Sequence, residues 1–156
     1  MWVHLRAGLS DFAPYHQSAD TVGAPGTAKN AVTVAATING VQNPDLASFS
    51  SRGPTSNGRL KPTVAAPGDG ISSVASRNPP DTDVCYYAGM SGTSMATPLV
   101  AGTAALLLQY FREGFYPTGE KNSDDGFQPM GALLHALLVN SGQKMTGTFA
   151  NQNGKD

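Results

Sequence analysis

Gly92-Thr93-Ser94-Met95-Ala96-Thr97-Pro98 lies within a stretch, Val84 to Phe111, that carries no charged side chain. Leu99, Val100, Leu106, Leu107, Leu108, Tyr110 and Phe111 crowd its second half, which predicts a long helix, apolar on most sides and buried. Ser94 then stands at the mouth of that helix. A helix N-terminus offers unpaired N–H groups and the positive end of a dipole, and Gly92 allows close backbone approach, so a serine hydroxyl here has what a nucleophile needs on the oxyanion side. Pro98, four residues on, has no N–H to give the Ser94 carbonyl and should loosen the first turn. Two plainer uses of the segment compete. Serine is an ordinary helix N-cap, and an apolar helix can cross a bilayer, although the run from Ala96 falls short of the ~20 residues a span requires and contains Thr97, Pro98, Gly102 and Thr103.

The wording of the whole segment separates these alternatives. Gly-Thr-Ser-Met-Ala-Thr-Pro, unbroken from Gly92 to Pro98 and followed by Leu99-Val100-Ala101-Gly102, resembles the serine motif of the subtilisin-like serine proteases, the subtilases. It differs from the Gly-x-Ser-x-Gly elbow of the α/β-hydrolases, because Ala96 stands where that pattern has glycine. Gly23-Ala24-Pro25-Gly26 with the run Ala31 to Ala36, Phe49-Ser50-Ser51-Arg52-Gly53-Pro54, and Lys61-Pro62-Thr63-Val64-Ala65-Ala66-Pro67-Gly68 resemble three further signatures of the family. The resemblance implies an α/β fold: a partial subtilisin-like domain, mostly parallel sheet flanked by helices, incomplete at its N-terminal side. Residues 1–147 would be the C-terminal half of a catalytic domain and 148–156 a polar tail. Ser94 would be the nucleophile and a backbone oxyanion donor, and Ala7 and Gly8 would line the wall that receives the substrate side chain before the scissile bond. Where the family carries Ala-Gly-Asn, with a side-chain amide as oxyanion donor, the aligned stretch reads Ala7-Gly8-Leu9. Leu9 cannot donate.

Peptide-bond hydrolysis by such a serine needs an imidazole as base and a carboxylate to orient it, and a subtilase carries them in the chain order Asp, His, Ser. The family's Asp-Ser/Thr-Gly and His-Gly-Thr-His segments occur nowhere in these 156 residues. Of the three histidines, His4 precedes the Ala7-Gly8 bend without a glycine-rich helix start, His16 lies in a polar loop, and His135 follows Ser94 and falls off the apolar stripe of a later helix, where it is expected to be exposed. None earns a catalytic role. Two readings follow. In one, the chain is part of a serine endopeptidase whose base and carboxylate lie on other sequence, so the isolated chain is inactive. In the other, it is a non-catalytic subtilase-like module that binds extended peptide or a partner chain along a strand edge.

Composition narrows the partners. A formal charge of −1 with scattered lysines and arginines offers no basic stripe for nucleic acid, and no membrane partner is expected. Abundant glycine and proline with 13% charged residues suit a buried α/β core with tight turns, and the length suits one domain. Cys85 reads as a small apolar filler before a Tyr86-Tyr87 strand. Met1 to Arg6 show no secretory signal; the resemblance implies a secreted or lumenal parent. A polypeptide substrate and the missing N-terminal half are the expected partners.

Strands are expected at Val3–Leu5, Asn30–Thr37, Leu60–Ala66 and Ile71–Val74, with turns at Asn39-Gly40, Asn43-Pro44, Gly53-Pro54, Asn57-Gly58 and Pro67-Gly68. Met130, Leu133, Leu134, Leu137 and Leu138 predict a second helix with Pro129 in its first turn and Gly142 just past its end. Asn122-Ser123-Asp124-Asp125-Gly126 does not have the spacing of a 12-residue calcium loop and reads as a plain acidic turn. No cofactor is expected; calcium is implied by the family resemblance alone, with no matching ligand set.

Overall fold

A computed structural model describes residues 20–39, 45–75 and 86–145. Strand β1 (Val34–Ile38) pairs in parallel with β2 (Val64–Asp69), Val34 opposite Val64 and Thr37 opposite Pro67. The register then slips, and Ile38 faces Asp69, leaving Gly68 as the extra residue of a bulge. Glycine is required there by packing. A Cβ on Gly68 would stand 2.6 Å from the Ala36 Cβ and 2.8 Å from the Gly92 carbonyl oxygen.

Helix α1 (Thr93–Arg112) lies across both strands. Ala96, Val100 and Ala104, spaced by four, place one row of small side chains against Val34 and Ala36, and this row with Val32, Ala47 and Leu138 forms the core. Pro98 does not interrupt the helix. It sits within two turns of the start, where one missing N–H costs a single bond, and the Thr97 hydroxyl steadies the same turn by donating to the Thr93 carbonyl at 2.8 Å. The expectation of burial on most sides is corrected: Leu106 is 67% and Leu99 46% exposed, because the described elements cover one face of α1 only. At its C-terminal end Phe111 packs edge-on to Tyr110 and against Tyr116 and Phe127, closing the core with aromatic rings.

β1 starts at Val34 rather than at Asn30. Upstream, the Ala31 carbonyl accepts from Lys61 Nζ, a side chain in place of a neighbouring strand. Leu60, expected to open β2, is 90% exposed and lies outside the strand, which runs on to Asp69 instead. The second sheet is a hairpin: β3 (Ile71–Ala75) pairs antiparallel with β4 (Tyr86–Met90), Ile71 opposite Met90 and Ala75 opposite Tyr86.

Helix α2 (Gly131–Asn140) starts after Pro129, with Met130 as an extended N-cap whose carbonyl accepts from the Leu133 and Leu134 N–H groups. Gly142 does follow its C-cap, Ser141. Only Leu134 and Leu138 of its apolar residues are buried. His135, beside Leu134 and three residues before Leu138, is half-buried and not exposed as expected, because its neighbours on the helix carry it toward the packed side. Before α2, Ser123–Asp125 form one 3₁₀ turn capped by Asn122, whose side chain accepts from the Asp124 N–H and donates to Asp125 Oδ2.

Candidate active site

Ser94 is the second residue of α1 and is half-buried. The Gly92 carbonyl accepts from both Met95 and Ala96, at 3.0 and 3.4 Å. The N–H groups of Thr93 and Ser94 are thereby left with no protein partner among the described residues, and the Ser94 hydroxyl has none either. A hydroxyl beside two free donors at the positive end of a twenty-residue helix is an arrangement that can stabilise an oxyanion forming next to it.

Three hydrogen bonds hold this serine in place from behind. The Gly92 N–H donates to the Gly68 carbonyl at 2.7 Å, the Gly70 N–H donates to Ser91 Oγ at 2.9 Å, and Ser91 Oγ donates to Asp69 Oδ1 at 2.7 Å. The chain before the nucleophile is pinned to the end of β2 at two neighbouring points. Sequence reasoning missed Ser91 and Asp69; the only signal was a polar residue inside a glycine pair, Gly68-Asp69-Gly70. Gly92 itself takes φ 158° and ψ 161°, a region open essentially to glycine, which turns β4 into α1.

A cavity of about 40 Å³ adjoins Thr93, walled by Val22, Gly26, Thr33, Ser50 and Pro62. Behind this wall Lys61 is buried. Its ammonium donates to the Ala31 carbonyl at 2.6 Å, to Thr33 Oγ1 at 3.2 Å and to Thr63 Oγ1 at 3.4 Å, while Thr33 Oγ1 donates to the Gly26 carbonyl at 2.6 Å. Burial, and to a smaller degree the nearby Arg59 charge, holds the Lys61 pKa below the usual lysine value. The role of this side chain was also missed, since Lys61 stood in the sequence only as the first residue of the Lys61–Gly68 signature.

The structure does not bring His135 to Ser94. α2 packs on α1, with Leu138 in the same core cluster as Val100 and Ala104. Val100 lies six residues, roughly 9 Å of helix, beyond Ser94. Ala7, Gly8, Leu9, His4, His16 and Cys85 lie outside the described residues. Among the described residues no group of three or more His, Cys, Asp or Glu side chains could hold a metal ion.

The chain is 44% identical over 114 residues to the serine protease/ABC transporter B family protein tagD of Dictyostelium discoideum, an alignment covering 67% of this chain and 6% of that protein. It is 44% identical over 100 residues to the serine protease AprX of Bacillus subtilis (strain 168), covering 57% of this chain and 23% of the relative. The solved S41 psychrophilic protease superposes with a TM-score of 0.54 at 27% identity, over 81% of this chain and 36% of that one, so the fold is a partial α/β subtilisin-like domain. The chain thus spans well under half the length of each of these proteins. A family model described as the subtilase family matches residues 8–154, nearly all of the sequence, and the chain belongs to that family.

Proposed function

We propose that Ser94 is the nucleophile of a serine endopeptidase, attacking the peptide carbonyl to form an acyl-enzyme, with the base and the carboxylate supplied by polypeptide outside these 156 residues. The observation that carries this reading is a Ser94 hydroxyl and two adjacent N–H groups, without a partner among the described residues, on a pinned helix start. In the reaction the Ser94 N–H donates to the oxyanion, and the Gly68 and Ser91 bonds keep the start of α1 from shifting as the carbonyl carbon becomes tetrahedral. The substrate is an extended polypeptide. Ala7 and Gly8 contribute to the wall for its side chain, and Leu9 supplies no amide, a deficit worth on the order of 10²–10³ in kcat where a single donor is lost. Calcium, implied by the family resemblance alone, has no role in these steps, and the parent is secreted or lumenal.

By this reading the isolated chain is nearly inert, since loss of the histidine alone removes roughly a millionfold in kcat from a subtilase. The test is labelling with a serine-directed fluorophosphonate. The 156-residue chain should label no faster than its Ser94→Ala variant, and a longer polypeptide that also carries the Asp and His segments should label quickly at Ser94. If the longer polypeptide stays unlabelled yet retains extended peptides, the non-catalytic module is the correct reading.

A further inference from the structure

Lys61 is only 8% exposed, yet its ammonium meets no carboxylate among the described residues. Its three donors find three neutral oxygens: the Ala31 carbonyl, Thr33 Oγ1 and Thr63 Oγ1. A buried charge without a counter-ion is costly unless every donor is satisfied, and here the match of three to three satisfies it. The oxygens come from two segments far apart in sequence, the approach to β1 and the approach to β2, and they are bonded to one another as well. The Thr33 N–H donates to Thr63 Oγ1 at 3.2 Å and the Thr63 N–H to the Thr33 carbonyl at 2.8 Å. A carbonyl and two hydroxyls held around one point are the donor set that replaces the hydration shell of a monovalent cation, whereas a divalent ion calls for carboxylates.

We propose that Lys61 is the resident cation of this oxygen cage, a tethered ammonium in a site that would otherwise take a free monovalent ion. The cage fastens the two strand approaches together. Through Thr33, which also donates to the Gly26 carbonyl, it sets the wall of the small cavity beside Thr93. Because the cation is part of the chain, no salt is needed to fill the site, and ion removal cannot loosen it.

The test is the thermal midpoint of the chain in chlorides of ammonium, potassium and tetramethylammonium at equal ionic strength. Lys61→Ala empties the cage and should lower Tm by about 5 °C in the tetramethylammonium salt, whose cation is too large to enter. Ammonium and potassium should restore at least half of that loss. The wild-type chain and Lys61→Met, whose thioether stem keeps the space filled, should show no difference among the three salts. Adding Thr63→Val to Lys61→Ala should abolish the rescue. Equal midpoints of Lys61→Ala in all three salts, or a variant that stays unfolded in ammonium as well, would overturn the proposal.

Discussion

The two sides of α1 have opposite chemistry. Toward β1 and β2 the buried residues are small, with Ala36 and Ala96 fully buried and Ala47 at 1% exposure, and among the described residues no large side chain is completely enclosed. Away from the sheet, and on the hairpin, the large apolar residues are the exposed ones: Val74 at 77%, Tyr87 at 72%, Leu106 at 67%. Natural cores normally take the bulky residues and leave the small ones to turns. The inversion shows what each side is for. Small residues let the backbone of α1 approach β2 closely enough for the Gly92 N–H to reach the Gly68 carbonyl, so the packed side is built for positioning Ser94. The outer side is exposed apolar surface, on which no described element packs.

The sharpest way to break this contrast is to add volume on the close-packed side. Gly68→Val places atoms where Ala36, Ala96 and the Gly92 carbonyl already stand. It should lower unfolding free energy by about 3 kcal/mol, read from urea denaturation. Removing volume from the same side comes next: Val100→Ala should cost about 2 kcal/mol, whereas Leu106→Ala, on the outer side, should change stability by less than ~0.5 kcal/mol. Equal losses from these two would erase the distinction between the faces.

A smaller effect probes the strand approaches. Because the folded-state pKa of Lys61 is lowered, the unfolded chain binds its proton more tightly in the range just below the ordinary lysine value, so stability should rise as pH climbs through that range and level off above it. Lys61→Met should flatten this rise in unfolding experiments across the alkaline range. The smallest expected effect is at the far end of α1, where Glu113 accepts from Lys121 at 2.9 Å and from Gln109 at 2.7 Å, and its pKa is lowered chiefly by the Lys121 bond. Its contribution is present above the ordinary carboxylate value and is lost as pH falls through the lowered one. The pair is exposed, so Glu113→Gln at neutral pH should leave the urea midpoint within error.

Much of the site was legible because its information is local. The string from Gly92 to Pro98 names the nucleophile, and the helix that follows is written in uncharged residues, so Ser94 and α1 could be read directly. The one-sidedness of α1 could not. Leu99 and Leu106 look as buried in sequence as Val100 does, and which of them is covered depends on what packs there. Lys61, Ser91 and Asp69 escaped for a related reason: each acts through partners twenty to thirty positions away, and a single polar residue in a turn carries no trace of its distant acceptor. The hairpin was half legible, as two short strands whose pairing depends on long-range register. Pro129 shows the limit at boundaries, since it suits a first turn in general but here precedes the cap.

The two anchor points behind Ser94 have a consequence for how this region tolerates change. Gly92 to Gly68, and Ser91 to Asp69, clamp together the two ends of the excursion that contains β3 and β4. With Asp69 and Gly70 at one end held to Ser91 and Gly92 at the other, a change within β3 or β4 has to pass this double clamp before it can shift Ser94.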